Sequence, residues 1–193
     1  ANTYLKIFYL KDTQLTSLPS SLFATNQALQ DVTIADNQLL TDIPGGFLST
    51  NPQIKTINLS NNLLTTWHVE WFNALVNLNQ LIIDGNELVT IPDGAFTSNL
   101  LAYLSINSCG IKRLESTTFA SLTSLTDLLI ADNQMRAIDV EIFNQALSLT
   151  RLNATQNQCI DANFDNFDRN VDLVQLQTCF DSFSTLNVCE FFP

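Results

Sequence analysis

Apolar residues recur along the chain with a period of about 24 residues, and this repeat predicts most of the architecture. Eight units open on an apolar residue, at intervals of 22 to 25 residues. When that opening residue is counted as position 1, positions 4, 6 and 11 are apolar in nearly every unit. The units begin near Leu5, Leu29, Ile54, Leu78, Leu101, Leu125, Leu149 and Val171.

The spacing inside one unit indicates a strand followed by an irregular connection. Positions 4 and 6 alternate with polar neighbours, which is typical of a strand with one buried face. Position 9 is asparagine in five units, and an asparagine amide can pair with backbone groups of the adjacent unit. Position 19 is phenylalanine in seven units, so we expect these rings to stack as a spine. The phenylalanines are Phe23, Phe47, Phe72, Phe96, Phe119, Phe143 and Phe167.

One such unit cannot bury its apolar side alone, so the units must stack on one another. The pattern over residues 5 to 179 resembles the leucine-rich repeat family, of the 24-residue type with a phenylalanine that is found mostly in extracellular proteins. The resemblance implies an α/β solenoid, a horseshoe with a parallel concave β-sheet of about eight strands and an irregular convex side. It would form a single domain over residues 1–193, with a C-terminal cap over residues 180–193. The cysteine-rich N-terminal cap of secreted members is missing, so the edge near Leu5 should be covered by Tyr4 and its neighbours or by further chain.

Charge and composition exclude several classes of function. Nineteen acidic and eight basic residues give a formal net charge of −11. Such a field repels phosphate backbones and anionic lipid, so we expect no nucleic-acid ligand. The sequence has no apolar run long enough to insert into a membrane. The single histidine, His68, falls in a connection, and no phosphate-binding loop, nucleophile elbow or zinc motif is present. We therefore expect neither an enzyme nor a cofactor.

The apolar exceptions among the solvent-facing strand positions are the candidate binding residues. Ile82, Tyr103 and Leu129 lie on three successive units and should form one patch on the concave face. Ile7 and Tyr9 should form a second patch at the N-terminal edge. Exposed apolar clusters with a polar rim mark protein-binding sites. The alternative is that these are ordinary isolated surface residues.

Acidic residues surround the predicted central patch. Asp84 stands at position 7 and Asp127 at position 3 of their units. Carboxylates on one side would steer a protein ligand with a basic or mixed surface, with a strong dependence on salt. Alternatively, the aspartates at position 8 only assist the turn. The remaining acidic residues of this set are Asp12, Asp31, Asp36 and Asp132.

The four cysteines divide into one isolated residue and a C-terminal group. Cys109 lies too many units from Cys159 for a disulfide and should be a free thiol. Cys159 and Cys179 should lie on adjacent units, and a bond between them resembles the abbreviated C-terminal caps of small secreted insect repeat proteins. Pairing of either residue with Cys189, or full reduction, are the alternatives. An unpaired Cys189 would allow homo-oligomers to form.

Two sequons, Asn58-Leu59-Ser60 and Asn153-Ala154-Thr155, are candidate glycosylation sites, although short sequons also occur by chance. Both asparagines stand at position 5, where a glycan would cover part of the concave face.

The resulting hypothesis is a secreted, non-enzymatic module that binds a protein partner through its concave face. The chain is similar to small secreted insect leucine-rich repeat proteins, among them the leucine-rich immune proteins of mosquitoes, and this similarity implies a role in innate immunity. A self-assembling structural or adhesive protein is one alternative. An intracellular regulatory scaffold is the other.

Overall fold

The computed structural model describes residues 2–96 and 100–189, the last five of them as backbone only. Within these residues, eight strands form one sheet and two short strands form another. The strands are β1 (Ile7–Lys11), β2 (Asp31–Ala35), β3 (Thr56–Asn58), β4 (Gln80–Ile82), β5 (Tyr103–Ser105), β6 (Arg113–Leu114), β7 (Asp127–Leu129), β8 (Ala137–Ile138), β9 (Arg151–Asn153) and β10 (Asn163–Phe164). The large sheet has the order β1-β2-β3-β4-β5-β7-β9-β10, and β6 pairs with β8.

The large sheet confirms the predicted solenoid of repeating units. Its strands pair in parallel from β1 to β9, each one unit further along the chain. In this register Leu81 lies between Ile57 and Leu104, so the residues at position 4 form a row inside the molecule. All three side chains are fully buried.

The connections between these strands are irregular, as expected for the convex side. They contain the short helices α1 (Ser116–Phe119) and α2 (Glu141–Gln145) and one 3₁₀ turn, Val69–Trp71. The predicted phenylalanine spine is present, because the rings at position 19 are buried and several successive rings are in contact. For example, the rings of Phe72 and Phe96 are nearly parallel, and their centroids are 6.4 Å apart.

Buried asparagines join neighbouring units through the backbone. The Asn62 amide nitrogen donates to the carbonyl oxygens of Ile34 and Leu59, at 2.8 and 2.7 Å. Its side-chain oxygen accepts the Asn37 N–H. Equivalent bonds recur at Asn86, Asn133 and Asn157, so position 9 satisfies backbone groups where the chain leaves the sheet.

The eighth unit, predicted to begin at Val171, is absent. The chain instead forms α3 (Arg169–Asp172), a 3₁₀ segment over Leu173–Leu176 and α4 (Gln177–Cys189). Val171 and Val174 are 63% and 76% exposed, whereas Leu176 is fully buried. The eighth strand of the sheet is β10, which pairs antiparallel with β9. The strand count was therefore predicted correctly, but the last strand runs in the opposite direction.

Helices replace the last unit because the apolar residues there have helical spacing. Leu173, Leu176 and Phe180 are three and four residues apart, so they share one helix face. Asp168 precedes this segment, and its carboxylate accepts the Asn170 N–H at 2.9 Å. The apolar face packs on the core of the solenoid, which covers the end that another unit would otherwise have to bury.

A disulfide between Cys159 and Cys179, with α-carbons 5.0 Å apart, attaches α4 to the last unit. Cys109 is a buried free thiol, as expected. The side chain of Cys189 and residues 190–193 of the predicted cap lie outside the described residues.

Candidate protein-binding face

Three positions on each parallel strand or just beyond it, namely 3, 5 and 7, face the concave side of the sheet. They correspond to Ile7, Tyr9 and Lys11 on β1 and to Gln80, Ile82 and Asp84 on β4 or just after it. The strands set the spacing of these side chains, since successive residues point to opposite faces. The face is therefore a grid whose columns are units and whose rows are positions.

The predicted central patch is only partly present. Ile82 and Tyr103 are half-buried and lie on the adjacent strands β4 and β5. Leu129, however, is only 8% exposed, so the expectation that it belongs to an exposed patch is wrong. Its neighbours in the sheet are Ser105, itself 1% exposed, and Asn153. Ile82 also has a strand on each side and is half-buried, so flanking strands alone do not decide the exposure of position 5.

Asp84, predicted as a binding residue, is engaged inside the protein. Its carboxylate accepts the Ser105 hydroxyl at 2.7 and 2.9 Å and the Asn107 N–H at 2.7 Å. The Asn107 side-chain oxygen in turn accepts the Ala131 N–H at 2.7 Å. These side chains thus supply acceptors to N–H groups at position 7 of the next unit. The Asp84 carboxylate therefore links its own unit to the next unit of the solenoid.

Asp127 is half-buried and also has partners within the chain. Its carboxylate accepts the Thr126 hydroxyl at 2.7 Å. A guanidinium nitrogen of Arg151 lies 4.0 Å away, and Arg151 also lies 3.6 Å from Asp165. The C-terminal columns of the face therefore carry a mixed, internally paired set of charges.

The aspartates at position 8 occupy a left-handed turn. Asp12, Asp36 and Asp132 have φ values between 52° and 59°. Short polar residues and glycine tolerate this conformation best, which explains the composition of position 8. The other residues there with positive φ are Asn61, Gly85, Ser108 and Gln156. The alternative interpretation, in which these aspartates serve the turn, therefore accounts for their recurrence.

Asp36 shows how one of these turn residues is held. The Asn61 amide donates to its carboxylate at 2.8 Å, and the Lys11 ammonium lies 3.4 Å away. The hydrogen bond from Asn61, together with Lys11, lowers the pKa of Asp36. The carboxylate is thus kept charged on the outer rim of the sheet.

The N-terminal end carries the most exposed apolar side chains of the concave face. Tyr9 is 69% exposed and Ile7 is 51% exposed, as the sequence predicted for the second patch. Tyr4, just before β1, is 87% exposed. The expectation that Tyr4 covers the edge of the solenoid near Leu5 is therefore wrong. Phe8 and Leu10, which point inward from β1, are only half-buried.

The two sequon asparagines end strands β3 and β9, and both are half-buried. The Asn58 side-chain oxygen accepts the Ser60 N–H at 2.9 Å. The Asn153 side-chain oxygen accepts the N–H and hydroxyl of Thr155, at 3.2 and 2.9 Å. Both side chains therefore bond along their own strand, and glycosylation of either one stays a prediction.

His68 lies in a connection, outside the strands of the concave face. Its Nε2 is 2.8 Å from the Asp42 carboxylate, and its ring lies against Trp71. In the part of the chain that the structure describes, no three metal-ligating side chains form a cluster. None of the described helices is long and apolar enough to cross a membrane.

Comparison with known proteins gives a family match and several similar folds. A family model described as leucine rich repeat matches residues 27–88 and 52–99. No curated protein matches the chain. A crystal structure of a TLR13–ssRNA13 complex is 23% identical, with a TM-score of 0.76 over 81% of this chain and 22% of that one. The APL1 leucine-rich repeat domain is 23% identical, with a TM-score of 0.74 over 80% of this chain and 40% of that one.

A third similar structure is the Toll–Spatzle complex of Drosophila, described as a hub in development and innate immunity. It is 20% identical, with a TM-score of 0.55 over 88% of this chain and 28% of that one. The present chain therefore spans less than half the length of these three structures. At sequence identities of 20–23%, the similarity to these three structures shows the fold alone.

Proposed function

Since this chain is a leucine-rich-repeat protein, we propose that it is an extracellular recognition module that binds a protein partner through its concave face. The observation that carries the proposal is the open N-terminal and central part of that face. There Tyr9 is 69% exposed, Ile7 is 51% exposed, and Ile82 and Tyr103 are half-buried. Tyrosine suits such a site because it offers a large apolar ring and a polar tip.

The polar side chains between these aromatic and aliphatic residues form a suitable rim. Thr33, Thr56 and Gln80 are half-buried at positions 3 and 5 of the intervening strands. Hydroxyl and amide groups can make directional hydrogen bonds at the edge of an interface. The column of β7, where Leu129 is buried, offers a partner less to hold, and in the column of β4 the Asp84 carboxylate is already engaged by Ser105 and Asn107.

The charge of the chain favours a protein partner with a basic or mixed surface. The formal net charge of −11 attracts such a partner over long range and raises its association rate at low salt. An RNA ligand, which is named for one structurally similar receptor, is disfavoured for this chain by the same charge.

Three features support an extracellular, innate-immune setting. The disulfide Cys159–Cys179 is of a kind that persists in oxidising compartments. The sequon at Asn153, away from the open part of the face, fits the secretory route. A glycan on Asn58 of β3 would lie between Tyr9 and Ile82 and would oppose binding there. One similar fold is described in the context of innate immunity. An intracellular scaffold would not need the disulfide.

The proposal can be tested with a pair of matched variants. Tyr9→Ser/Tyr103→Ser alters the concave face, whereas Val76→Ser/Leu147→Ser alters exposed residues outside the strands. Each variant would be immobilised and exposed to extracellular fluid of the source organism. Bound proteins would be identified by mass spectrometry, and the affinity of each purified binder would then be measured by calorimetry.

We expect at least one binder whose affinity for the concave variant is about tenfold or more below its affinity for the wild type, because loss of interface hot spots has effects of this size. The affinity of the same binder for the control variant should be unchanged. Circular dichroism would verify that both variants fold. Binders that respond only to the control variant would contradict the use of the concave face. Complete absence of binding by the folded wild-type chain would contradict the proposal itself.

A further inference from the structure

A small cavity lies between α4 and the last two units of the solenoid. It has a volume of about 200 Å³ and is lined by Arg136, Gln158, Cys159, Thr178 and Ser182. This volume corresponds to roughly six water molecules at about 30 Å³ each. The cavity can therefore hold a small molecule.

The disulfide Cys159–Cys179 forms part of the cavity wall, and its two cysteines differ in access. Cys159 is half-buried and lines the cavity. Cys179, in contrast, has no exposed surface and belongs to the hydrophobic core. Thiol–disulfide exchange begins when a thiolate attacks one of the two sulfurs. A thiolate that enters the cavity can therefore reach Cys159 but not Cys179.

Arg136 gives the cavity a positive charge, since it is the charged residue among the described residues of the lining. Its Nε donates to the Gln158 side-chain oxygen at 2.9 Å, which orients the guanidinium. The partner of Arg136 is thus a neutral amide, whereas Arg113 and Arg151 lie beside carboxylates. The terminal N–H groups of a guanidinium bind a carboxylate through two parallel hydrogen bonds. The cavity therefore combines a cation for a carboxylate with a sulfur that a thiolate can attack.

We propose that this cavity is a binding and exchange site for a small thiol that carries a carboxylate, the chemical class of free cysteine and glutathione. The Arg136 guanidinium binds the carboxylate, and the thiol, which has given its proton to water, attacks the Cys159 sulfur as a thiolate. A bond forms between the ligand sulfur and Cys159. The bond between Cys159 and Cys179 breaks, and Cys179 leaves with the electron pair and takes up a proton from water. The ligand sulfur is thereby oxidised and Cys179 is reduced.

Access and leaving-group stability favour opposite sulfurs in this exchange. Burial disfavours a thiolate at Cys179, so leaving-group stability alone would favour attack on Cys179 and departure of Cys159. A nucleophile must reach the sulfur that it attacks, however, and of the two cysteines it is Cys159 that lines the cavity. Access therefore decides the site, while the buried leaving group makes the step slow. Arg136 counteracts the slow step because it raises the local concentration of an anionic thiol.

The exchange would break the covalent link between α4 and the last unit but leave the apolar contacts of the helices in place. Leu176 is fully buried and Phe180 packs against the core, so the C-terminal helices would stay on the solenoid with less stability. This inference goes beyond the proposed function, because neither the cavity nor the disulfide belongs to the concave face.

The test compares three thiols of different charge on the folded 193-residue chain with the Cys189→Ser substitution, which removes that thiol as an internal nucleophile. The thiols are 3-mercaptopropionate, which is anionic, 2-mercaptoethanol, which is neutral, and cysteamine, which is cationic. The rate of disulfide opening is followed by acid quenching and mass spectrometry. The variant is Arg136→Gln, and the matched control is Lys6→Gln, which changes the net charge equally at an exposed side chain of the first unit.

We expect Arg136→Gln to slow opening by 3-mercaptopropionate about three- to tenfold, the effect of one nearby charge in water. Opening by 2-mercaptoethanol should be nearly unchanged, and opening by cysteamine should become faster because its ammonium no longer meets a guanidinium. Lys6→Gln should alter each of these rates less than about twofold, since a distant charge is screened. If Arg136→Gln changes the three rates by the same factor, or acts no differently from Lys6→Gln, the proposal is overturned.

Peptide mapping of samples quenched at early times identifies the sulfur that is attacked. We expect the 3-mercaptopropionate adduct on Cys159, with Cys179 as a free thiol. An adduct that forms first on Cys179 would refute attack through the cavity. The proposal would also fail if the disulfide opens no faster than the whole chain unfolds, as measured by urea unfolding kinetics extrapolated to water, because the thiol would then react with the unfolded chain alone.

Discussion

Asn133 is the residue at which the link between neighbouring units can be tested most directly. Its amide nitrogen donates to the carbonyl oxygens of Ile106 and Ile130 at 2.8 and 3.0 Å. Its side-chain oxygen accepts the N–H groups of Cys109 and Ile111, both at 3.0 Å. Replacement by alanine leaves these buried groups without partners. We expect Asn133→Ala to lower the free energy of unfolding by about 3 kcal/mol in urea denaturation.

Asn77→Ala is the matched control for this prediction. The Asn77 amide makes an exposed hydrogen bond to the Pro52 carbonyl oxygen at 2.8 Å. Water can replace that bond, so we expect a loss below about 1 kcal/mol. Equal losses for the two variants would mean that the buried ladder does not stabilise the stack.

Cys109 replaces asparagine at position 9, and its thiol follows the same pattern by donating to the Ile83 carbonyl oxygen at 3.3 Å. Burial raises the pKa of this thiol to about 12. The folded state therefore disfavours the thiolate, which forms near pH 8.5 in an unfolded chain. A raised pKa contributes stability that is complete below the unfolded value and is lost as the pH rises toward 12.

Two measurements check this expectation for Cys109. Alkylation of the thiol should be slow in the native protein and fast in urea. The stability difference between wild type and Cys109→Ala should shrink between about pH 8.5 and pH 10.5, because ionisation in the unfolded chain removes the advantage of the thiol. A difference that is constant over this range would show that the thiol ionises equally in both states.

At the scale of elements, the sequence was sufficient for the strands and the spine because each depends on a local pattern that is repeated many times. The C-terminal segment was mispredicted because Leu176 fits both periods. As position 6 of a unit that starts at Val171 it suggests a strand, whereas with Leu173 and Phe180 it suggests a helix. Asp168, an N-cap residue placed just before the apolar residues Leu173 and Leu176, was the signal that could have identified the helices.

The concave residues were harder to predict, because their exposure depends on the neighbouring units. Position 5 is open at Tyr9, half-buried at Ile82 and closed at Leu129, although Ile82 and Leu129 both have a strand on each side. Asp84 looked like a surface acid, yet its partners Ser105 and Asn107 come from the next unit. A repeat pattern gives the position of a side chain but not the identity of its neighbours.

The disulfide is the element-scale feature whose removal has the clearest expected result. Cys159 and Cys179 close a loop of 20 residues between the last unit and α4. Opening a loop of this size costs about 3 kcal/mol of stability. We expect Cys159→Ser/Cys179→Ser to show that loss, with the largest gain in hydrogen exchange along α4.

Chemical reduction of the wild type is the matched control for the disulfide. Cys109 is free, so a reductant leaves it unchanged. Reduced wild type and the double serine variant should therefore unfold at similar denaturant concentrations. If reduction leaves the unfolding midpoint unchanged while the double variant is destabilised, the loss would come from the serine side chains and not from the open loop.

At the scale of the whole molecule, the two described ends of the solenoid differ in how they are covered. The C-terminal end has helices and a disulfide over the last unit. At the N-terminal end, β1 leaves Phe8 and Leu10 half-buried. In a stack of repeats, stability is approximately a sum of units and of interfaces between neighbours. A unit with one interface should therefore open more readily than a central one.

Two substitutions at the same position of different units test this gradient. Leu59, at position 6 of the third unit, is fully buried, whereas Leu10, at position 6 of the first, is half-buried. We expect Leu59→Ala to cost about 2–5 kcal/mol as a core cavity, and Leu10→Ala to cost roughly half as much or less. Urea denaturation of the 193-residue chain would measure both losses. Hydrogen exchange should show the same order, with β1 less protected than β3. Equal losses would mean that the first unit of the 193-residue chain is as well buried in solution as a central one.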